Sequence, residues 1–147
     1  MKKNMQTLAL VLLAMMLVLS FAAPASARMW YVKTVATGDG TGNEWANACT
    51  LDTAIAGLSV TSDTVWVMQG TYTRTAAINL SNRSGTTLLG GFPSALTSPT
   101  LTDRNPALYE TVIQRTSGPV ASGMVITASR ISASAHTRKL TIDGFTI

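Results

Sequence analysis

Short runs of β-branched and aliphatic residues recur in this chain in one order, and that repetition narrows its possible folds more than any other feature. The runs are Trp30 to Val35, Val65 to Met68, Ile78 to Leu80, Thr86 to Leu89, Thr111 to Gln114, Met124 to Thr127 and Leu140 to Ile147. Each is bounded by Gly, Asn, Ser or Pro, the punctuation of short strands. Met68-Gln69 matches Ile113-Gln114, and Ile78 with Leu80 matches Met124 with Ile126. Leu89, Gly91 and Phe92 match Ile142, Gly144 and Phe145. Three strands followed by three in the same order predict a coil of two turns, each strand pairing with its equivalent one turn on. Gly91 and Gly144 then fall where a strand turns a corner and a Cβ is often excluded. An antiparallel sandwich uses strands of similar length but gives no reason for strand order and the Gly-Phe corner to recur together.

One segment has helical periodicity. Leu51, Ala54, Ile55 and Leu58 recur at three- and four-residue spacing, with Thr50 or Asp52 as cap, before Gly57 and Ser59 weaken the pattern. The helix is therefore about two turns long.

Residues 1–27 read as an export signal rather than as part of the fold. Lys2 and Lys3 open it, the run from Leu8 to Ala23 has Ser20 as its only polar residue, and Pro24 precedes Ala25-Ser26-Ala27. That is the order of a cleavable secretory signal. The run is shorter than the roughly 20 apolar residues that cross a bilayer. Residues 28–147 remain as one domain, expected outside the cytoplasm as a secreted or cell-envelope protein.

Composition removes several classes. With 12% charged and 46% apolar residues the chain is not a charged, disordered polypeptide. From Arg28 onward there are nine basic and seven acidic side chains, and the basic ones stand singly apart from Arg138 and Lys139. A phosphate-binding stripe needs clustered cations, so nucleic acid is not an expected partner. Cys49 is the single cysteine. Beside Leu51, Ala54 and Ile55 it is expected to be buried and inert.

Taken as an ordered set, a series of segments carries a resemblance. These are Trp30-Tyr31-Val32-Lys33, the Gly38 to Asn43 turn, Trp45-Ala46-Asn47-Ala48, Leu51 with Ala54-Ile55, Asp63 to Val67, Gly70-Thr71-Tyr72, Leu89 to Phe92, Thr111-Val112-Ile113 and Leu140 to Ile147. The set resembles the N-terminal part of bacterial right-handed parallel β-helix proteins, the pectin-lyase-like superfamily in its secreted and surface-exposed branch. The resemblance implies an all-β solenoid whose opening strand and short helix cap the first turn, with Trp30, Trp45 and Ile55 covering its apolar interior. The β-rich stretch Thr141 to Ile147 would leave an uncovered strand edge, so the pattern is expected to continue into further turns or to be completed by a partner, with self-association through the last strand edge as a consequence.

Chemistry is sparsely provided. Family members acting on polygalacturonate use clustered acids, whereas Asp39, Glu44, Asp52, Asp63, Asp103, Glu110 and Asp143 are never adjacent or two apart. Asp143 before Gly144 reads as a turn residue. His136, the only histidine, lies in the Ser/Ala-rich stretch Ser129 to Thr137 and reads as solvated. Asp39, Asn43 and Glu44 could surround calcium, but Gly38 to Asn43 reads first as a turn cluster. No catalytic, cofactor-binding or metal residue is therefore assigned. Thirty-two residues from Arg28 onward are Ser or Thr, which suits an exposed surface contacting polysaccharide or protein. The expectation is a non-catalytic binding, adhesion or structural module, with the N-terminal part of a polysaccharide lyase or glycoside hydrolase as the alternative. N-terminal sequencing of the exported protein is expected to start at Arg28, and a cytosolic product retaining Met1 would contradict the assignment.

Overall fold

The computed structural model describes residues 27–59, 62–83, 85–116, 125–128 and 139–147. Residues 1–26 of the expected export signal, Met124, and the stretch Ser129 to Thr137 with His136 lie outside the described residues.

The described chain is mainly β, with parallel sheets and one α-helix. The strands are β1 (Met29–Val32), β2 (Thr64–Met68), β3 (Gly70–Arg74), β4 (Ile78–Asn79), β5 (Thr87–Phe92), β6 (Thr111–Arg115), β7 (Ile126–Thr127) and β8 (Thr141–Asp143). The helix α1 spans Leu51–Gly57, and its first turn is closed by Thr50, whose Oγ1 accepts from the Thr53 amide at 3.3 Å. It buries Leu51 and Ala54 as the periodicity predicts. One sheet has the order β1-β2-β5-β8, a second pairs β3 with β6, and a third pairs β4 with β7, all parallel.

Alternation places the side chains. In the four-stranded sheet Trp30, Val32, Val65, Val67 and Leu88 face a core shared with Leu51, Ala54, Leu58, Tyr72, Ile78, Leu80 and Ile113. Tyr31, Trp66 and Leu89 occupy the opposite face, where they pack on Trp45, Met68 and Phe92. Both faces of this sheet are thus covered, the usual state of parallel strands. The second cluster is aromatic: Trp66 stacks on Phe92 with centroids 4.8 Å apart, and Tyr31 meets Trp45 edge-on at 5.0 Å. Trp45 belongs to this outer cluster, held by its Nε1 donating to the Pro99 carbonyl at 2.7 Å, and not to the interior that Trp30 and Ile55 help to cover.

The pairings correct the sequence alignment. Leu88, not Leu89, stands beside Ile142, and Leu89 stands beside Asp143. A one-residue slip exchanges the faces of a strand, so the hydrophobic match of Leu89 with Ile142 would have put one of them on the wrong side. Ile78 pairs with Ile126 rather than Met124. The strand at Val65 to Met68 pairs with β1 and β5, and β6 pairs instead with β3, a strand absent from the sequence reading. The corner glycine is where it was expected. The register shifts between Trp66 and Met68, so that Met68 meets Phe92, and Gly91 there has φ +89°. A Cβ on Gly91 would lie 2.8 Å from the Pro106 backbone, which no side chain tolerates.

Burial declines along one column of the sheet. Trp30, Val65 and Leu88 are 4%, 0% and 0% exposed, whereas Ile142 beside Leu88 is 37% exposed. Leu88→Ala is expected to cost about 2–5 kcal/mol and Ile142→Ala about 1 kcal/mol or less. Denaturant unfolding of the two variants checks this, and equal costs would contradict the burial gradient.

Candidate functional site

The acids that sequence left scattered are each tied to a neighbour. Asp39 Oδ1 accepts from the Thr41 amide at 2.9 Å and the Thr41 hydroxyl at 2.8 Å. Glu44 Oε1 accepts from Asn47 Nδ2 at 2.8 Å. Asp63, 1% exposed, accepts from the amides of Arg28 and Ser59 at 2.8 and 2.7 Å, pinning the chain entering β1 to the chain entering β2. Asp103 closes a capping box with Thr100 at the 3-10 turn Leu101–Asp103. Asp143 pairs with Arg104 at 2.7 Å, while Arg104 Nε donates to the Gly90 carbonyl at 2.6 Å. Glu110 Oε1 accepts from the Thr146 hydroxyl at 2.8 Å. Asp52 forms an ion pair with Arg74.

The Gly38 to Asn43 cluster is a turn. Gly38, Gly40 and Gly42 all have positive φ, and the Asp39 carboxylate is spent within the loop on Thr41. Among the described residues no three His, Cys, Asp or Glu side chains converge as a metal would require. Asp143 ends β8 and secures the corner at Gly144 through Arg104. Cys49 is fully buried, and desolvation pushes its thiol above the ordinary value of 9.0.

Two depressions formed by described residues lie along β3. One depression of about 310 Å³ is lined by Thr34, Thr50, Asp52, Thr71, Thr73 and Arg74. A second, of about 500 Å³, is lined by Thr34, Gln69, Gly70, Ser94, Leu108 and Glu110. Thr34 borders both and packs over Gly70, whose φ of +138° and lack of Cβ permit the approach. Strand alternation explains the lining. Tyr72 points inward, 6% exposed, its hydroxyl donating to the Met68 carbonyl at 2.8 Å, so Thr71 and Thr73 point outward. Burial also raises the Tyr72 phenol well above its ordinary value of 10.0, which leaves it a proton holder rather than an acid-base group. The Arg74 side chain is only 10% exposed against 73% for Asp52, and its Nε donates to the Ala76 carbonyl at 3.2 Å. Gln69 Nε2 donates to Ser94 Oγ at 2.8 Å and fixes the wall at the Gly70 end.

The described lining offers hydroxyls, backbone amides and two carboxylates, and no His, Cys or Lys stands among the described residues that form it. Sequence reading missed it because β3 was not recognised. The Thr71-Tyr72-Thr73 alternation after Gly70 was the available signal.

No family model matches the chain, and neither a curated protein nor a solved structure does.

Two measurements follow from these environments. The Cys49 thiol is expected to react with a disulfide reagent only as fast as the chain opens, so denaturant should accelerate labelling sharply; rapid labelling of the folded protein would contradict its burial. Hydrogen bonds from the Thr41 amide and hydroxyl lower the Asp39 carboxyl, and those from the Thr100 hydroxyl and amide lower Asp103, both from an ordinary value of 3.8. Their contribution is complete above that value and is lost as pH falls through the lowered folded-state values. Asp39→Asn is expected to reduce the fall in Tm on acidification below about pH 4. An unchanged acid profile would contradict the linkage.

Proposed function

We propose that the chain is an exported, non-catalytic binding module built as the cap and first turns of a right-handed parallel β-helix of the pectin-lyase-like kind. The observation carrying this reading is the strand order. The set β2, β3, β4 is followed by β5, β6, β7, and every member of the first set pairs in parallel with its counterpart in the second. β5 then pairs with β8, and Val112 bridges to Thr146, which begins the same sequence again. Parallel strands joined by crossovers are right-handed almost without exception. In such a stack β1 and α1 are the cap, and the export signal at residues 1–27 delivers the module to the cell envelope or beyond.

Binding rather than turnover is supported by the β3 groove. Its carboxylates are engaged, Asp52 by Arg74 and Glu110 by Thr146, and among the described residues no acid-base pair faces the hydroxyl lining. Catalysis by a polysaccharide lyase or hydrolase needs such a pair or a basic residue beside it. Polysaccharide or a surface protein are the partner classes that a Thr-rich face suits. The exposed Ile142 and Ile147, in and after β8 at the end of the four-stranded sheet order, favour self-association through that edge.

Incubating the mature chain with polygalacturonate, with and without calcium, is expected to give no product. Turnover that disappears in a single-acid variant such as Asp143→Ala would overturn the non-catalytic reading. Sedimentation equilibrium is expected to show concentration-dependent association weakened by Ile142→Lys, and a strict monomer at all concentrations would remove the edge contact.

A further inference from the structure

We propose that removal of the export signal after Ala27 creates an ion pair inside the fold: the α-ammonium released on Arg28 docks on the buried carboxylate of Asp63 and fastens the cap to the first turn. The proposal rests on the export reading above and gives the cleavage a structural consequence.

The position of Arg28 is the first observation. Its main-chain nitrogen donates to Asp63 Oδ1 at 2.8 Å, and its carbonyl accepts from the Thr64 amide at 2.9 Å. The guanidinium points elsewhere, donating through Nη2 to the Thr41 carbonyl at 2.7 Å, with Cζ 3.7 Å from the centroid of the Trp30 ring. Backbone and side chain are thus both held, and none of these contacts uses a residue that precedes Arg28. An N-terminus created here stays where it stands.

Asp63 is the second observation. It is 1% exposed, and its oxygens each accept a main-chain amide, Oδ1 from Arg28 and Oδ2 from Ser59 at 2.7 Å. Among the described residues no cationic side chain forms an ion pair with it. Arg83 donates to the Leu58 carbonyl, the other side of the peptide group whose N–H serves Asp63. A carboxylate taken from water without a counter-charge is costly, and a cation at hydrogen-bond distance offsets that cost.

Hydrolysis supplies the cation. Under an endopeptidase of the export route, water adds to the Ala27–Arg28 amide and the C–N bond breaks. The water oxygen stays on Ala27 in its new carboxylate, and both water protons end on the Arg28 nitrogen. One neutral N–H becomes an ammonium, and the existing bond to Asp63 becomes charge-assisted, roughly twice as strong. Ala27 and Arg28 are exposed, so the two added N–H groups reach water. The contact joins the entries of β1 and β2, so the cap is fastened fully only in the processed chain.

The test compares three forms by denaturant unfolding at pH 7: one beginning at Arg28, one beginning at Ala27, and one beginning at N-acetylated Arg28, which keeps the N–H donor and removes the charge. The free Arg28 form is expected to have a folding equilibrium constant about tenfold above the other two, the worth of one charge-assisted bond. Its α-amine, followed by NMR in the folded protein, should titrate about one unit above the ordinary value near 8. Of the charged groups around it, Asp63 raises that value, whereas its own guanidinium and Arg83 lower it, so an upward shift identifies the Asp63 contact. Asp63→Asn should bring the three forms level. If that variant does not fold, the three forms with Asp63 intact and the α-amine titration decide the matter. Equal stability of the three forms, or an α-amine titrating at or below its ordinary value, would overturn the ion pair and leave the export reading standing. An exported protein beginning at another residue, or a cytosolic product retaining Met1, would instead sink the cleavage on which the proposal stands.

Discussion

The parallel pairing of β2 with β5 is the contact on which the rest of this structure depends. It joins two strands covered on both faces, so that Val65, Val67 and Leu88 are removed from water on one side while Trp66 and Phe92 stack on the other. Every other sheet is placed by it. β3 and β4 leave from the end of β2, β6 and β7 from the end of β5, and each later strand finds its counterpart because the first pair is in register. Parallel ladders save little by local contact, since their partners are distant in sequence. Here the cost of closing those loops is offset by burial on two faces instead of one.

Helical structure and corners were legible because they depend on neighbours in sequence. Thr50 caps α1, Leu51 and Ala54 bury its inner face, and Gly91 takes the positive φ that its corner requires. Register was not legible to one residue. The Leu89 to Ile142 match and the true Leu88 to Ile142 pairing are equally hydrophobic, and the bulge that decides between them lies at Gly90 and Gly91, where no side chain signals it. β3 was passed over for a different reason. Its outward residues are Thr71 and Thr73, its inward residue is Tyr72 alone, and a single buried aromatic does not make a visible apolar run.

Polar groups in this chain chiefly hold loops to the strand stack. Asp63 joins the entries to β1 and β2, Arg104 joins Asp143 to the Gly90 carbonyl, and Thr111 Oγ1 accepts from the Gly91 amide at 2.9 Å. The acids noted in the sequence each take part in a contact that holds a turn, a corner or a strand entry. The depressions along β3 become visible only once the strands are paired. Their character follows from the same alternation that buries Tyr72.

The central claim is that successive sets of strands pair in the register Thr64, Thr87, Thr141, and disulfide trapping measures that register directly. In a Cys49→Ala background, Thr87→Cys with Thr141→Cys places two thiols on neighbouring parallel strands and on one face, within the span a disulfide bridges. Rapid, near-complete crosslinking of this pair is the predicted result, alongside little crosslinking of Leu88→Cys with Thr141→Cys, whose side chains lie on opposite faces. Preferential crosslinking of the second pair, or of neither, would contradict the account.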